Sequence, residues 1–312
     1  MPTVPVTESD HPSDDGGAPG AGAGPGALPA DRLIAFYTDH RRDLPWREPG
    51  TTPWGVLVSE VMLQQTQVAR VVPAYRQWIE RWPTPPDLAA EPSGEAVRAW
   101  GRLGYPRRAL RLHAAATAIT DRHHGRVPDT VDELLTLPGV GEYTARAVAA
   151  FGYRRRAPVV DTNVLRVLSR ATRGVDTRAS ATATDRRDLD RWLPQDPDTA
   201  ATFSIAVMEL GALLCTTGEP GCSQCPISDD CAWRAAGYPA AAAVRRQGAW
   251  AGSDRQVRGR IMAALRDAPA AVAEGELAAV WPDVQQWRRC LDSLLADGLA
   301  VRVDVGWIGL PG

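Results

Sequence analysis

Four of the five cysteines of this 312-residue chain lie within seventeen residues, so the segments that carry them are expected to meet around one centre. They are Cys215, Cys222, Cys225 and Cys231, with the spacing C-x6-C-x2-C-x5-C. Such a run predicts a metal site, because an intracellular chain of this length has little need of disulfides. Thiolate ligands alone do not separate zinc from an iron–sulfur cluster, although the single C-x2-C knuckle favours the cluster. Cys290 lies apart and is interpreted as a half-buried apolar residue.

The composition is typical of a globular protein, and the start of the sequence predicts a cytoplasmic location. Hydrophobic residues make up 44% of the chain and charged residues 23%, and the first thirty residues hold no apolar run typical of secretion or membrane anchoring. All 35 basic side chains are arginines, against 37 acidic residues, which excludes any mechanism that needs a lysine side chain. Because a domain has about 150 residues on average, the length of 312 residues predicts two folded units.

The first two thirds of the chain have the pattern of a helical domain. Residues 1–28 are rich in Gly, Pro and Ala and predict a disordered tail. Apolar residues at three- and four-residue spacing predict helices over 29–236, without a convincing strand. One of these helices is expected from Val56 to Val72, with Pro73 ending it.

The last part of the chain has a different pattern. Residues 237–253 offer no apolar period and predict a linker. Residues 254–312 predict three helices followed by a hairpin that turns at Asp304–Gly306. Three helices and a β-wing resemble a small winged-helix unit.

The sequence between residues 127 and 148 predicts a helical hairpin with two glycines. Thr130 and Glu133 form a capping-box pattern that opens a short helix, and a second helix restarts at Glu142. Gly139 and Gly141, between the two, permit a tight turn whose backbone N–H groups suit a phosphate oxygen. Arginines on both sides of the hairpin predict a basic face, so the hairpin indicates a protein that grips a nucleic-acid backbone.

Two carboxylates stand in contrasting settings. Glu60 lies within an apolar helical run, where desolvation raises its pKa and keeps it protonated. Asp161 lies at the N-terminus of a helix, where the helix dipole favours the ionised form. An acid paired with an anion suits the departure of a group from a sugar carbon. The alternatives are a buried ion pair for Glu60 and an ordinary helix cap for Asp161.

Several segments resemble the adenine DNA glycosylases of the endonuclease III superfamily of helix-hairpin-helix proteins. They are LPWR (44–47), SEVMLQQTQV (59–68), WGRLGYPRRALRLHAAA (100–116), LPGVGEYTARAVAAF (137–151), VDTNVLRVLSR (160–170) and MELGALLC (208–215). The resemblance implies an all-α, two-lobed fold: a six-helix lobe over about 55–155, and a second lobe formed by 29–54 with 156–236. It further implies a [4Fe-4S] cluster held by the four cysteines of the loop 215–231.

The same resemblance implies a function and a set of site residues. The family excises adenine mispaired with 8-oxoguanine or guanine in double-stranded DNA. By position, Glu60 is expected to protonate adenine at N7 and Asp161 to stabilise the oxocarbenium ion. The other implied site residues are Tyr143 and Asn163 near the reacting sugar, Gln65 and Tyr105 as wedges in the duplex, and Trp46, Arg47 and Glu209 as contacts to the flipped adenine.

The chain has two further features that bear on function. It has no lysine to form a Schiff base, and Tyr143 stands where bifunctional relatives carry one, so a monofunctional enzyme is expected. Residues 254–312 are too few and too helical for the larger β-rich domain with which typical members read 8-oxoguanine. We expect a monomer with DNA as its partner and no membrane contact.

Two other functions fit the same residues. A thymine or uracil mismatch glycosylase of the same superfamily is the nearest, and Glu60 is the residue that would separate it, because adenine departure needs protonation. A non-catalytic iron–sulfur regulator that binds DNA through its C-terminal unit is the other. In that case Glu60 and Asp161 would be structural.

Overall fold

The computed structural model describes residues 27–177, 180–241 and 250–312. The predicted tail, up to residue 26, and the centre of the predicted linker, residues 242–249, lie outside these ranges. The all-α fold is confirmed, since strands occur only near the C-terminus of the described chain. The helices are α1 (Ala30–His40), α2 (Pro53–Leu63), α3 (Val68–Arg81), α4 (Pro85–Ala89), α5 (Ser93–Trp100), α6 (Arg107–Arg122), α7 (Val131–Leu135), α8 (Glu142–Ala147), α9 (Thr162–Arg173), α10 (Ala183–Trp192), α11 (Pro197–Leu213), α12 (Ala232–Ala235), α13 (Asp254–Asp267), α14 (Glu274–Ala278) and α15 (Val284–Ala296).

Two apolar cores organise these helices. The larger is built from side chains of α2 to α8 together with the C-terminal helices α13 to α15. The smaller joins α1, α9, α10 and α11. We propose that these two cores correspond to the two lobes. Leu28 is buried in the smaller core, so the predicted tail is too long by at least this residue.

The single helix expected from Val56 to Val72 is wrong. The chain instead forms α2 and α3, separated by a turn in which Gln65 has a left-handed backbone with φ +54°. Pro73 does not end a helix, because α3 runs through it. The interruption brings Gln65 to the surface between two helices that apolar periodicity alone would join.

The C-terminal unit has the predicted three helices and hairpin. The strands are β1 (Val272–Ala273), β2 (Val301–Asp304) and β3 (Trp307–Gly309), and they form an antiparallel sheet in the order β1-β3-β2. The short strand β1 was not predicted. The unit also shares the larger core, and Gly94 of α5 donates a backbone hydrogen bond of 2.8 Å to the Pro311 carbonyl. It is therefore packed against the helices of that core.

Across the described ranges, no helix is long and apolar enough to cross a membrane.

Candidate active site

A cleft with a volume of about 1320 Å³ opens where the two cores meet. We call it the central cleft. Its lining includes Glu60 and Tyr143 from the side of the larger core, and Asp161, Asn163 and Met208 from the side of the smaller one. The two carboxylates that the sequence singles out therefore open into the same cavity.

Glu60 is carried in the middle of α2 and is only 5% exposed. The Tyr143 hydroxyl donates a hydrogen bond of 2.7 Å to its Oε2 atom. Burial raises the pKa of Glu60 to about 7, helped by the nearby charge of Asp161 and opposed by Tyr143 and Arg47. A carboxyl group with this pKa is partly protonated near neutrality, as the apolar sequence around it predicts.

Asp161 is the N-cap of α9 and holds its carboxylate at the edge of the central cleft. The Val164 backbone N–H donates to Oδ1 at 2.7 Å, and the Asn163 side-chain amide donates to Oδ2 at 2.8 Å. Burial raises the pKa of Asp161 in spite of these hydrogen bonds, so the stabilisation expected from the helix terminus is outweighed by desolvation. The hydrogen bonds still favour the anion, and Glu60 has fewer of them.

A glycine on the neighbouring helix allows Asn163 to hold this position. A Cβ added at Gly211 of α11 would lie 2.8 Å from the Asn163 Cβ and 2.9 Å from its carbonyl oxygen. The start of α9 can therefore pack directly on α11. Arg166 completes the arrangement by donating a hydrogen bond of 2.8 Å to the Asn163 Oδ1 atom, which orients the amide toward Asp161.

Trp46 and Arg47 line the cleft, but Glu209 does not. Glu209 is 0% exposed, and its carboxylate accepts hydrogen bonds from Arg42 (2.7 to 2.9 Å) and from Arg47 (3.0 Å). Burial alone would raise the pKa of Glu209, yet these arginines lower it to about 2. Glu209 therefore does not line the cleft in this structure, and its expected contact to a flipped base stays a prediction. It contacts the cleft only through the arginines.

Gln65 and Tyr105 both project from strained turns. Their φ angles are +54° and +47°, in the left-handed region that costs a non-glycine residue about 1–3 kcal/mol. Gln65 is exposed and lines the cleft, whereas the half-exposed Tyr105 does not. These are the two residues expected to enter a duplex, and we call them the wedge residues.

The glycine hairpin joins α7 and α8. Thr130 caps α7 by accepting a hydrogen bond from the Glu133 backbone N–H. The predicted capping box is only half formed, because the Glu133 carboxylate accepts from the Thr130 hydroxyl and not from its backbone N–H. Gly139 has φ +77°, and a Cβ there would lie 2.6 Å from the Cβ of Arg111. Gly141 is the N-cap of α8, and an added Cβ would meet no atom within 4 Å. Space is therefore open in front of the backbone where a phosphate is expected.

The basic face expected around the hairpin is present only in part. Before the hairpin, Arg102, Arg111 and Arg126 are exposed and have no acidic partner among the described residues. Arg166 and Arg170 are buried, and the five other arginines that follow the hairpin all pair with acidic side chains. Those pairs are Arg146 with Glu142, Arg154 with Asp198, Arg155 with Asp129, Arg156 with Asp190, and Arg173 with Asp185 and Asp188. The charges that follow the hairpin are thus paired within the fold, which the local sequence does not reveal.

Cys215, Cys222, Cys225 and Cys231 line one common pocket against α9. Arg166 and Arg170 fix the start of this loop, since Arg166 donates to the Cys215 carbonyl at 2.6 Å and Arg170 to the Thr216 carbonyl at 2.8 Å. Within the described ranges, no three His, Cys, Asp or Glu side chains are grouped as ligands of a metal ion. The four thiols surround a shared space without closing on one point.

Two arginines with large roles escaped the sequence analysis. Arg42 contributes more hydrogen bonds to Glu209 than Arg47 does, and Arg108 is buried beneath the wedge residues. Neither has a local signal, because each meets its partners only in the folded chain. Arg108 lies in the basic stretch before the hairpin, yet its side chain is buried.

Comparisons with known proteins indicate the family to which the chain belongs. The model of the HhH-GPD superfamily base excision DNA repair proteins matches residues 58–195. The adenine DNA glycosylase of Mycobacterium tuberculosis is 51% identical over 292 residues, which cover 93% of this chain and 95% of that protein.

Two solved structures have a similar fold. A thermostable thymine-DNA glycosylase has a TM-score of 0.60 and 25% identity, covering 66% of this chain and 95% of its own. A trapped endonuclease III–DNA covalent intermediate has a TM-score of 0.58 and 25% identity, covering 67% of this chain and 95% of its own.

The helical fold, the glycine hairpin and the matching model define a protein of the HhH-GPD superfamily. Within that superfamily the chain belongs to the adenine DNA glycosylase family, as its identity to the mycobacterial relative shows. The prediction of a glycosylase, an enzyme that hydrolyses N-glycosidic bonds, is thereby confirmed.

Proposed function

We propose that the protein removes adenine from double-stranded DNA in which the adenine is mispaired with 8-oxoguanine or guanine. The observation that supports this most is the pair of carboxyl groups in the central cleft, with the pKa of Glu60 raised to about 7 beside the hydrogen-bonded Asp161. Adenine is a poor leaving group until it is protonated, so its release needs an acid of this kind. The name of the adenine DNA glycosylase relative supports adenine as the base that is removed.

The reaction follows from the two settings. Protonated Glu60 donates its proton to N7 of the extruded adenine, while Tyr143 holds Oε2 in place. The N-glycosidic bond then breaks, and both bonding electrons leave with the base. Asp161, oriented by Asn163, stabilises the resulting positive charge on the sugar. Water then adds to C1′, and its released proton passes to the carboxylate of Glu60, which restores the acid and completes hydrolysis.

The remaining predicted residues fit the handling of the DNA. Extruding a base costs a few kcal/mol, which contacts in the opened duplex must offset. Gln65 and Tyr105 enter the duplex, and Trp46 and Arg47 contact the base in the cleft. Glu209 holds Arg47 in place through a hydrogen bond of 3.0 Å. The N–H groups around Gly139 and Gly141 grip a phosphate of the backbone.

The chemistry is monofunctional. A bifunctional glycosylase cleaves the DNA strand through a Schiff base to a lysine, and this chain contains no lysine. Tyr143 occupies the corresponding position and is engaged with Glu60.

A [4Fe-4S] cluster is the cofactor that fits the four cysteines. They surround one pocket, and their spacing, with a single C-x2-C knuckle, favours a multi-atom cluster over zinc. When bound, the cluster supplies a structural link that holds the loop 215–231 against α9. Visible absorption of the purified protein should show thiolate-to-iron bands. A colourless protein with stoichiometric zinc would contradict this assignment.

The test of function is base release from four duplexes, with adenine opposite 8-oxoguanine, adenine opposite guanine, thymine opposite guanine and uracil opposite guanine. We expect adenine to be released from the first two, and no strand cleavage before alkali is added. Release of thymine or uracil alone would instead identify a pyrimidine mismatch glycosylase, the activity named for one structural neighbour. A monomer acting on DNA in the cytoplasm is the form in which we propose that it works.

A further inference from the structure

Arg108 is a charged residue buried without an acidic partner. It lies in the first turn of α6, its exposed fraction is 6%, and none of the ion pairs among the described residues involves it. Burial lowers the pKa of its guanidinium to about 10. A buried cation of this kind is retained only where many polar atoms surround it.

Those atoms belong to two surface turns and to the end of one helix. The Nη1 atom of Arg108 donates to the carbonyl oxygens of Val61 (2.8 Å), Met62 (2.9 Å) and Gln64 (2.6 Å). Carbonyls in the last turn of a helix have no partner within the helix, so Arg108 closes the C-terminus of α2. This is the helix that carries Glu60.

The second terminal nitrogen contacts the other turn. Arg108 Nη2 donates to the carbonyl oxygen of Gly104 at 3.0 Å and to the hydroxyl of Thr66 at 2.9 Å. The Thr66 hydroxyl in turn donates to the Leu103 carbonyl at 3.2 Å. One guanidinium and one hydroxyl therefore tie the turn at 64–66 to the turn at 103–105.

Each turn carries one wedge residue in a strained conformation. The carbonyl that Arg108 binds in each turn, Gln64 or Gly104, immediately precedes the wedge residue Gln65 or Tyr105. Backbone conformations of this kind persist only where surrounding contacts hold them. The contacts that converge on Arg108 supply that constraint for both turns at once.

We infer that Arg108 is a positioning residue that sets the two wedge residues at a fixed separation before DNA binds, and so lowers the cost of extruding the target base. This inference rests on the wedge role given to Gln65 and Tyr105 under the proposed function. It adds a device that ties both wedges to the C-terminus of the Glu60 helix, so that base extrusion and the acid share one support.

The test uses the variant Arg108→Met and measures base extrusion separately from the rate of base release. A duplex with 2-aminopurine in place of the target adenine, opposite 8-oxoguanine, becomes more fluorescent when the base is unstacked. We expect the variant to lose most of this increase, and its single-turnover adenine release to fall about tenfold or more, since misplaced groups cost rate steeply. Binding to a duplex with a tetrahydrofuran abasic analogue, which needs no extrusion, should be unchanged. The pH at which activity falls should also be unchanged.

Two further variants keep the result decisive. Arg122→Met removes an exposed arginine from the last turn of the same helix and should behave like the wild type. Thr66→Val removes only the hydroxyl that bridges the turns, and should give a smaller loss of fluorescence with the same binding to the abasic duplex. If Arg108→Met does not fold, Thr66→Val decides.

The inference is overturned by a wild-type fluorescence increase in Arg108→Met, or in Thr66→Val if the former is unfolded. It is also overturned by an equal loss of binding to the abasic duplex, which would mark a general structural role. Gln65→Ala and Tyr105→Ala separate the two levels. If they retain full extrusion, the wedge role itself is wrong. If they lose it and Arg108→Met does not, only the role of Arg108 is wrong.

Discussion

The two walls of the central cleft each hold a carboxyl group, but the surroundings of the two groups differ. On one wall, Glu60 lies inside an apolar helix with one hydrogen bond, from Tyr143. On the other, Asp161 caps the start of a helix and accepts hydrogen bonds from a backbone N–H and from the Asn163 amide. Burial raises the pKa of both, but only Asp161 has several donors that favour its anion.

This difference teaches that the division of roles depends on hydrogen-bond donors as much as on burial. A sequence argument that assigns one carboxyl to an apolar site and the other to a helix dipole is incomplete, because both sites are desolvated. What distinguishes the anion is the set of donors fixed around it. Changes to these donors, or to the carboxyl groups themselves, should therefore affect the role of one carboxyl group without altering that of the other.

The largest effect should come from neutralising either wall. Glu60→Gln removes the proton donor and Asp161→Asn removes the anion, so each should reduce single-turnover adenine release by about 10²–10⁴-fold. Binding to the mispaired duplex, measured by fluorescence anisotropy, should be retained because neither side chain is needed to grip DNA.

Glu48→Gln is the matched control, since Glu48 is an exposed carboxylate that lines the same cleft. It should leave the rate unchanged. Full adenine release in both Glu60→Gln and Asp161→Asn would contradict the catalytic roles. A protein that binds DNA and releases no base, with or without these changes, would be the non-catalytic regulator.

The next effect is on folding stability and concerns the Glu60 wall alone. The pKa of Glu60 is about 7 in the folded chain against an ordinary value of 4.5, so the unfolded chain ionises first as pH rises. Below pH 4.5 the burial of Glu60 therefore does not reduce the free energy of unfolding. As pH rises to 8, that free energy falls by up to about 3 kcal/mol. Glu60→Gln has no such loss, so its unfolding free energy relative to the wild type should rise over this range. Urea unfolding at pH 5 and pH 8 measures it, and an unchanged difference would contradict the raised pKa.

A smaller effect should follow from removing one donor from the Asp161 wall. Asn163→Ala deletes the amide that donates to Oδ2 and leaves the backbone N–H of Val164 in place. A hydrogen bond to a charged group contributes about 1.5–3 kcal/mol, so adenine release should fall by about 10- to 150-fold. Thr162→Ala, on the exposed side of the same turn, should have no effect. An equal rate in Asn163→Ala and the wild type would show that the amide does not support the anion.

The smallest effect should come from the single donor on the Glu60 wall. The Tyr143 hydrogen bond lowers the pKa of Glu60 against the effect of burial, so Tyr143→Phe should raise that pKa further. The falling limb of the rate against pH should move to higher pH, with a change of only a few-fold at pH 7. A limb that moves to lower pH would contradict the sign of this contribution.

Much of the cleft could be predicted because its signals are local in the sequence. Glu60 in an apolar run, Asp161 before a helix, and the glycines between α7 and α8 each show their setting within a few residues. The close spacing of the four cysteines likewise predicts that they come together at one site. Local patterns also located the C-terminal hairpin, whose turn at 304–306 joins β2 and β3.

The rest depends on contacts between distant parts of the chain. Tyr143 meets Glu60 across 83 positions, and Arg42 meets Glu209 across 167, so no window of sequence contains either pair. Arg108 shows the same limit more clearly. Its sequence neighbours place it in a basic stretch, yet folding buries it under carbonyl groups from two other segments.

The central claim is that adenine release requires a proton held by Glu60 in the cleft that also contains Asp161. The most direct measurement is the single-turnover rate of adenine release from the 8-oxoguanine mispair between about pH 5 and pH 9. The wild-type rate should fall as pH rises through about 7, where Glu60 loses its proton, and Glu60→Gln should be slow with no such limb. A wild-type rate that is constant over this range, or the same limb in Glu60→Gln, would contradict the claim.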